Sequence, residues 1–279
     1  MRLFIVITIL SVGHFLSASG FTIPEGVVYT KLDYKFLDAN QSYDNKGNRV
    51  TNQLGYQLEN DAVNFYLGYG LGKRFSLAAD VQYLKTVFDQ GTLPASNEGI
   101  TDIWIDLHYA LYQGKLNVVA NMGVKLPQQK NQLFVPYQPA LTSGEEEYYL
   151  GLGFGFGSRA YFLEGELGYL WRPGFVANVR TFGIPYENSW QAQLKAGWHA
   201  RPKLDVEGVL TSHQTVGDID AQFIPGVFAN SDETRLQLSL YYLLTTRWGL
   251  GVYGERTLIG KNILHTDSVG CNISYRWSR

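Results

Sequence analysis

Paired acidic residues are the side chains in this sequence that are best suited to chemistry. Three pairs lie two or four positions apart: Asp102 and Asp106, Glu164 and Glu166, and Asp205 and Glu207. Carboxylates at this spacing can form ion pairs with basic residues or select a charged solute along a polar path. The basic residues available to them in the predicted strands are Lys31, Lys35, Lys125, Lys195 and Arg235. We expect ion pairing to be the first role of these carboxylates and solute selection the second.

Histidine and serine residues do not form a catalytic or metal-binding pattern. The five histidines, at positions 14, 108, 199, 213 and 265, do not pair at any metal-ligand spacing. Ser212 and His213 are neighbours, so in a strand they point to opposite faces and cannot hydrogen-bond directly. We therefore expect no enzymatic activity, no metal and no cofactor. A barrel hydrolase is the least favoured of three functional hypotheses.

Four glycines alternate with bulky residues at Gly151, Gly153, Gly155 and Gly157. A phosphate-binding loop places its glycines at a turn between a strand and a helix, whereas these lie inside a strand pattern. Glycine at successive inward positions lets a sheet curve sharply or lets another segment approach closely. We expect a thinned wall that faces an inserted loop.

The elements that position these residues are strands with alternating apolar and polar residues. Between Arg235 and Leu244, for example, the even-numbered residues are Leu or Tyr and three of the odd-numbered ones are Arg, Gln and Ser. About twelve such segments occur, near residues 27–37, 62–70, 74–84, 101–112, 116–126, 146–157, 160–171, 189–200, 204–213, 232–245, 248–258 and 266–277. Most have about ten residues, the length at which a strand tilted by about 45° crosses an outer membrane.

The connections between these segments alternate between tight and long. Tight turns lie near residues 72–74, 113–115, 157–159, 201–203 and 246–247. The connections on the other side are long, near 38–61, 85–100, 127–145, 172–188 and 214–231, with a shorter one at 259–265. Outer-membrane barrels have short periplasmic turns and long external loops. Aromatic residues near the strand ends are typical of the two interfacial girdles. We therefore predict an all-β fold: a transmembrane antiparallel up-and-down β-barrel of about 12 strands.

Composition and the N-terminus are consistent with this fold. Hydrophobic residues make up 45% of the chain, yet no uninterrupted apolar run after residue 20 reaches the ~18 residues of a membrane helix. Met1-Arg2, an apolar stretch from Leu3 to Leu10 and small residues up to Gly20 form a signal-peptide pattern. We predict a cleaved signal peptide over 1–20, a barrel domain over 21–279 and residence in the outer membrane of a Gram-negative bacterium.

Net charge and cysteine content exclude other classes. The net charge of -2 does not favour nucleic acid as a partner. The single cysteine, Cys271, cannot form an internal disulfide, and its position among apolar residues indicates a small hydrophobic side chain.

If the apolar positions face lipid, the alternate positions line the interior. The candidate pore-lining residues are Lys31, Asp33, Lys35, Asp80, Asp102, Asp106, His108, Lys125, Glu164, Glu166, Lys195 and Arg235. Glu147, Asp205, Glu207, Glu255 and Arg276 have the same parity. A charge on the lipid face costs roughly 2–4 kcal/mol at the midplane, which explains the segregation. Arg256 is the exception, and its position near the outer rim allows it to snorkel.

Several short motifs resemble a known family. These are residues 25–34, Tyr69 to Leu77, Gly99 to Ile103 and Gly123 to Pro127. Their order is similar to that in a family of outer-membrane barrels labelled as transporters of the MetA pathway of phenol degradation. In that family Thr-Gly usually follows the last motif, whereas Gln128-Gln129 follow here, and this chain ends Trp277-Ser278-Arg279 rather than on an aromatic residue. The resemblance implies the barrel fold and passage of an aromatic or hydrophobic solute.

The leading functional hypothesis is a channel for passive uptake of a small solute, with outer-membrane lipid and the solute as partners. A twelve-stranded lumen should be narrow and partly plugged. The alternative is a structural or accessory barrel, closed to solutes, that binds a surface partner through its long loops. Those loops contain apolar runs at 133–137, 182–186 and 223–228, which either form a capture site or pack together to close the mouth. The oligomeric state is left open.

Overall fold

The computed structural model describes residues 20–44, 46–51, 57–89, 95–128, 146–173, 188–216, 232–261 and 263–278. The signal-peptide segment 1–19 and the three apolar loop runs lie outside these residues. The strands are β1 (Val27–Tyr43), β2 (Arg49–Thr51), β3 (Gln57–Gly70), β4 (Phe75–Asp89), β5 (Ala95–Tyr112), β6 (Leu116–Pro127), β7 (Glu147–Gly157), β8 (Tyr161–Trp171), β9 (Ser189–Arg201), β10 (Leu204–Thr215), β11 (Asp232–Leu243), β12 (Trp248–Lys261) and β13 (Ile263–Ser278). Among the described residues no helix is long and apolar enough to cross a membrane.

Twelve long antiparallel strands form a closed barrel. Each long strand pairs with its neighbours in chain order, and β1 pairs with both β3 and β13. The closing pairing runs from Val27 opposite Ser278 to Tyr43 opposite Ile263. The predicted all-β, twelve-stranded barrel is therefore confirmed.

A thirteenth strand, β2, was not expected, because it lies within the predicted connection 38–61. It pairs with the outer end of β1, with Gln41 opposite Thr51. The turn before it is held by Asp44, which accepts hydrogen bonds from the backbone N–H groups of Lys46 (2.9 Å) and Asn48 (2.7 Å). Hydrogen bonds from Asn48 lower the pKa of the Asp44 carboxyl. Gly47 has φ of 82°, a left-handed conformation that favours glycine.

Several strands extend further toward the long-loop end than the sequence predicts. β1 continues to Tyr43 instead of residue 37, β3 begins at Gln57 instead of 62, and β5 begins at Ala95 instead of 101. Polar residues interrupt the apolar alternation there, although backbone pairing continues. The alternation therefore marks only the membrane-facing part of each strand.

The two faces of the wall have opposite polarity. Outward side chains are apolar and exposed, as at Leu150 (62% exposed) and Leu238 (61%), whereas inward Asp106 and Glu164 are each only 2% exposed. Cys271 lies among the outward residues. Such an exterior is stable only against an apolar medium, because monomeric soluble proteins rarely expose large contiguous apolar patches.

Aromatic residues form belts at both ends of the barrel. Near the tight turns, Trp248 packs on Tyr275 and Phe75 on Tyr109, each with ring centroids 4.6 Å apart. Near the long loops, Tyr169 packs on Trp190 at 5.0 Å. These positions are those of interfacial girdles.

The chain before β1 folds into the barrel at its tight-turn end. We call residues 20–26 the N-terminal segment. Gly26 donates a backbone hydrogen bond to the Gly70 carbonyl (2.9 Å), and Ile23 packs with Val27, Tyr29 and Tyr241 in a buried apolar cluster. The segment then reaches the β7 wall, which lies four strands round the barrel from β3.

Glycine makes room for this segment at the β7 wall. A Cβ at Gly155 would lie 2.6 Å from the Phe21 ring and 2.7 Å from the Gly20 carbonyl oxygen. The chain that approaches Gly155 is the N-terminal segment. Most of the long loops lie outside the described residues, so the expected inserted loop stays a prediction. Gly151 has a different neighbour, since the Tyr149 hydroxyl would lie 2.6 Å from a Cβ there.

Replacing Gly155 should release the N-terminal segment without unfolding the barrel. In a Cys271→Ser background, Ile23→Cys supplies the only thiol, and burial of Ile23 (5% exposed) should make it react slowly with a water-soluble maleimide. Gly155→Leu should speed labelling several-fold, because the added side chain occupies the space of Phe21. Gly72→Leu is the matched control, since a Cβ there meets nothing within 4 Å. Equal labelling rates in the two variants would contradict this docking.

Candidate functional site in the barrel interior

All twelve candidate pore-lining residues lie on the inward parity of their strands. Eight are buried: Lys31, Asp33, Asp106, His108, Lys125, Glu164, Glu166 and Lys195. The other four are partly buried: Lys35, Asp80, Asp102 and Arg235. They are distributed around the wall rather than gathered at one point, so their role in lining a passage remains a prediction. Ten inward positions are acidic and six are basic among the seventeen inward residues named from the sequence, which leaves the wall acidic on balance.

The first ion-pair cluster joins β5, β6 and β7 in the outer half of the barrel. Lys125 binds Glu147 through a short ion pair, and its Nζ lies 3.8 Å from Asp102. The Nε atom of Arg172 lies 3.4 Å from the same Glu147 oxygen. The side chains of Lys125 and Glu147 are both more than nine-tenths buried. Each charge is therefore stabilised by the other, because a buried charge without its partner is energetically costly.

The second cluster lies close to the barrel closure, on β1, β11 and β12. Lys35 donates a 2.6 Å hydrogen bond to Glu255, whose carboxylate is also 3.7 Å from Arg235. Arg235 in turn lies 2.6 Å from Glu233. Glu255 therefore joins two cations from opposite sides of β12.

A third group lies deeper in the barrel. Lys31 is 3.4 Å from Asp33, which also accepts a 2.7 Å hydrogen bond from the Tyr253 hydroxyl. On the opposite wall Lys195 is 3.3 Å from Glu207. All five cations have acidic partners, and from the three carboxylate pairs named from the sequence these partners include Asp102 and Glu207. Glu166 instead accepts a hydrogen bond from Tyr149, and Asp205 lies 2.7 Å from His199.

Another part of the wall is rich in carboxylates and tyrosine. Tyr149 donates a short hydrogen bond to Glu166. His108 is hydrogen-bonded to Asn121 at 2.8 Å, so its ring is held by an amide rather than by a catalytic partner. Within the described ranges no group of three or more His, Cys, Asp or Glu residues could hold a metal ion. The geometry suits attraction of cations and hydrogen bonding to a solute.

The Ser212 and His213 side chains do not meet, as the sequence predicts for neighbours in a strand. The Ser212 hydroxyl accepts a 3.3 Å hydrogen bond from Thr234, and His213 lies opposite Glu233 in the β10–β11 pairing.

Sequence reasoning missed the tyrosines that narrow the lumen at the tight-turn end. Tyr29 and Tyr66 contact each other edge to face at 5.9 Å, and Tyr241 completes the cluster around Ile23. The alternation along β1 could have identified Tyr29 as inward-facing, because it lies two positions before Lys31 on the same face of the strand. Ile23, around which these tyrosines pack, precedes the first strand, so no strand alternation could predict where it lies.

The fold and site together define a twelve-stranded barrel of the outer-membrane type with a charged interior. The chain matches no family model and no curated protein sequence. Among solved structures it is similar to an outer-membrane channel from Pseudomonas putida F1, with a TM-score of 0.72 and 14% identity over 95% of this chain and 100% of that one.

Two further structures share the architecture at lower similarity. The translocator domain of the autotransporter NalP from Neisseria meningitidis has a TM-score of 0.52 and 11% identity, covering 90% of this chain and 88% of that one. The deltaS2S3 mutant of TodX, described as a monoaromatic hydrocarbon channel, has a TM-score of 0.50 and 9% identity, covering 92% of this chain and 91% of that one. At these identities the comparisons establish the fold alone.

Removing the Lys125 charge should destabilise the barrel. Breaking a buried ion pair costs about 3–5 kcal/mol, and we expect about 2–3 kcal/mol for Lys125→Met because Arg172 still faces Glu147. Urea unfolding of the refolded protein in lipid vesicles would measure this loss. Lys73→Met, in an exposed turn, should change the free energy of unfolding by less than about 0.5 kcal/mol. A Lys125→Met midpoint equal to that of Lys73→Met would contradict the assignment.

Proposed function

We propose that the protein is an outer-membrane channel for passive uptake of a small aromatic or hydrophobic solute. The observation that carries the proposal is a closed barrel whose inner wall is charged along its length. The N-terminal segment fills the tight-turn end and has to move aside for a solute to pass. Once residues 1–20 are removed, the segment consists of the six residues 21–26, and because few contacts hold it, it can move aside without disturbing the strands. In this proposal the twelve inward residues from Lys31 to Arg235 line the passage.

The solute class is supported by two resemblances. Short motifs of the chain resemble the barrel family labelled for the MetA pathway of phenol degradation, and the TodX structure of similar fold is described as a monoaromatic hydrocarbon channel. Inward Tyr29, Tyr66 and Tyr241 pack around Ile23, and their rings become available for stacking on an aromatic solute when the N-terminal segment moves aside. We infer further that residues 1–20 are removed as a signal peptide and that the protein resides in the outer membrane of a Gram-negative bacterium.

The second candidate function is an accessory barrel that is closed to solutes and binds a surface partner. The filled tight-turn end favours it, since Ile23 and three tyrosines occupy that part of the lumen. The two functions differ in a measurable way, because only the channel conducts ions and passes solute.

A reversible lock on the N-terminal segment should control solute flux. A Cβ placed at Gly68 would collide with the Ile23 side chain, so Ile23→Cys and Gly68→Cys in a Cys271→Ser background place two thiols in reach. We expect liposomes containing the oxidised variant to take up toluene or phenol more slowly than the reduced variant. The single variant Ile23→Cys controls for the effect of the oxidant. Absence of both conductance and solute flux in the reduced and parent proteins would refute the channel and favour the accessory barrel.

The acidic inner wall should make ion passage prefer cations. Asp106→Asn removes one buried inward charge, so the reversal potential across a salt gradient should shift toward zero. Glu59→Gln is the matched control, because Glu59 is exposed on the outward parity of β3. Planar bilayers under a KCl gradient provide the measurement. An anion preference of the parent protein would contradict an acidic passage, and an equal shift in both variants would show that Asp106 does not line the path.

A further inference from the structure

The outer surface of the barrel carries a groove that the channel proposal does not use. It spans β11, β12, β13 and β1 toward their long-loop ends and has a volume of about 560 Å³. This volume falls within the range of small-molecule sites, about 300–1,000 Å³. Its apolar lining consists of Phe36, Leu236, Leu238, Leu258 and Val269, with Gly254 among them.

The groove exists because one side chain is missing from a row of apolar neighbours. Leu238 pairs with Gly254, Gly254 with Val269, and Val269 with Phe36 across four adjacent strands. Leu238 and Val269 are each 61% exposed and stand on either side of Gly254. A Cβ at Gly254 would meet only the Ser268 carbonyl oxygen, at 3.9 Å. The glycine therefore forms the floor of a trough that opens outward.

A guanidinium group lies at the outer end of this trough. Arg256 is two residues beyond Gly254 on the same face, and its side chain is 59% exposed. Its Nε and Nη2 atoms donate to the two oxygens of Asp267 at 2.5 and 2.9 Å. A guanidinium has five N–H donors, so three are left after this bidentate pair. Asp38 also borders the groove and adds a negative charge at the same level.

We propose that the groove binds a phosphorylated lipid of the outer leaflet, with one acyl chain over Gly254 and the phosphate on Arg256. A trough that faces hydrocarbon must be filled by an apolar chain, and an arginine at the interface donates to headgroup phosphates. Asp267 holds the guanidinium plane in place for this contact. Asp38 and Asp267 repel additional negative charge, so the groove disfavours a highly charged headgroup more strongly than the one phosphate that Arg256 contacts. The inference rests on the membrane location of the barrel and not on solute passage.

Native mass spectrometry of the full-length protein in detergent can test this site. The probes are phosphatidic acid and diacylglycerol with identical acyl chains. We expect the parent protein to retain phosphatidic acid about tenfold better than diacylglycerol, which is the effect of one charge-assisted hydrogen bond. Gly254→Leu should lower retention of both lipids, because the trough is filled. Arg256→Gln should abolish only the preference for phosphatidic acid.

Two matched controls isolate the groove from the rest of the lipid-facing surface. Gly208→Leu adds the same side chain on the other side of Leu238, where a Cβ lies 3.6 Å from the Leu238 side chain. Lys85→Gln removes an exposed basic charge from the outward parity of β4. Both should leave retention unchanged. Heat-modifiable electrophoretic mobility checks that every variant is folded, and Gly254→Val replaces Gly254→Leu if the latter does not fold.

Two outcomes would overturn the proposal. Equal retention of the two lipids by the parent protein would mean that no phosphate is bound. Equal loss in Gly254→Leu and Gly208→Leu would mean that lipids coat the wall without a preferred site. Because solute flux is measured separately, failure here leaves the channel proposal standing, and failure of the channel leaves the lipid site standing.

Discussion

Closure of the barrel by β1 and β13 is the interaction on which the rest of the structure depends. In hydrocarbon every backbone N–H and C=O must find a partner within the protein, and an open sheet edge cannot provide it. The pairing of Val27 with Ser278 through to Tyr43 with Ile263 removes both edges. Closure also fixes where the chain before Val27 must lie. It starts at the tight-turn rim between β3 and β13, and Gly26, with φ of 72°, turns it into the lumen.

Several tyrosine rings on the inner wall pack over glycine residues. A Cβ at Gly151 or Gly168 would collide with the Tyr149 side chain. Likewise, a Cβ at Gly249 would collide with Tyr241, and one at Gly270 with Tyr253. Each tyrosine thus lies flat along the wall over a glycine of its own or the next strand, a packing that compensates for the missing side chain. The hydroxyls then reach polar partners, as Tyr253 reaches Asp33 and Tyr149 reaches Glu166. Large rings in a narrow lumen therefore leave more free width than their size suggests.

The number of barrel strands, their order and the facing of their side chains could be predicted from the sequence, because alternation shows which face meets lipid, whereas the short strand β2 could not. The outward Arg256 was correctly singled out by the same rule, and the structure supplies its partner Asp267. Three features of the structure could not be predicted from the local sequence pattern. The strand extensions lie where both faces are polar, so alternation ends before pairing does. The Lys35–Glu255 pair joins residues 220 positions apart, which requires the closure register. The N-terminal segment fills its site through Ile23, whose neighbours come from β1 and β11.

The strands are held in place by many more interactions than the N-terminal segment, and this difference determines which part of the molecule can move. A long strand is held by ladders on both sides, so moving one strand exposes backbone groups to lipid. The segment is held by the Gly26 hydrogen bond to Gly70, by Ile23 in its cluster and by Phe21 against Gly155. Burying one isoleucine and one phenylalanine contributes about 1.5–3 kcal/mol each, far below the stability of a closed ladder. Any opening of the tight-turn end should therefore begin with this segment, and its width should be set by the space the segment vacates rather than by strand number.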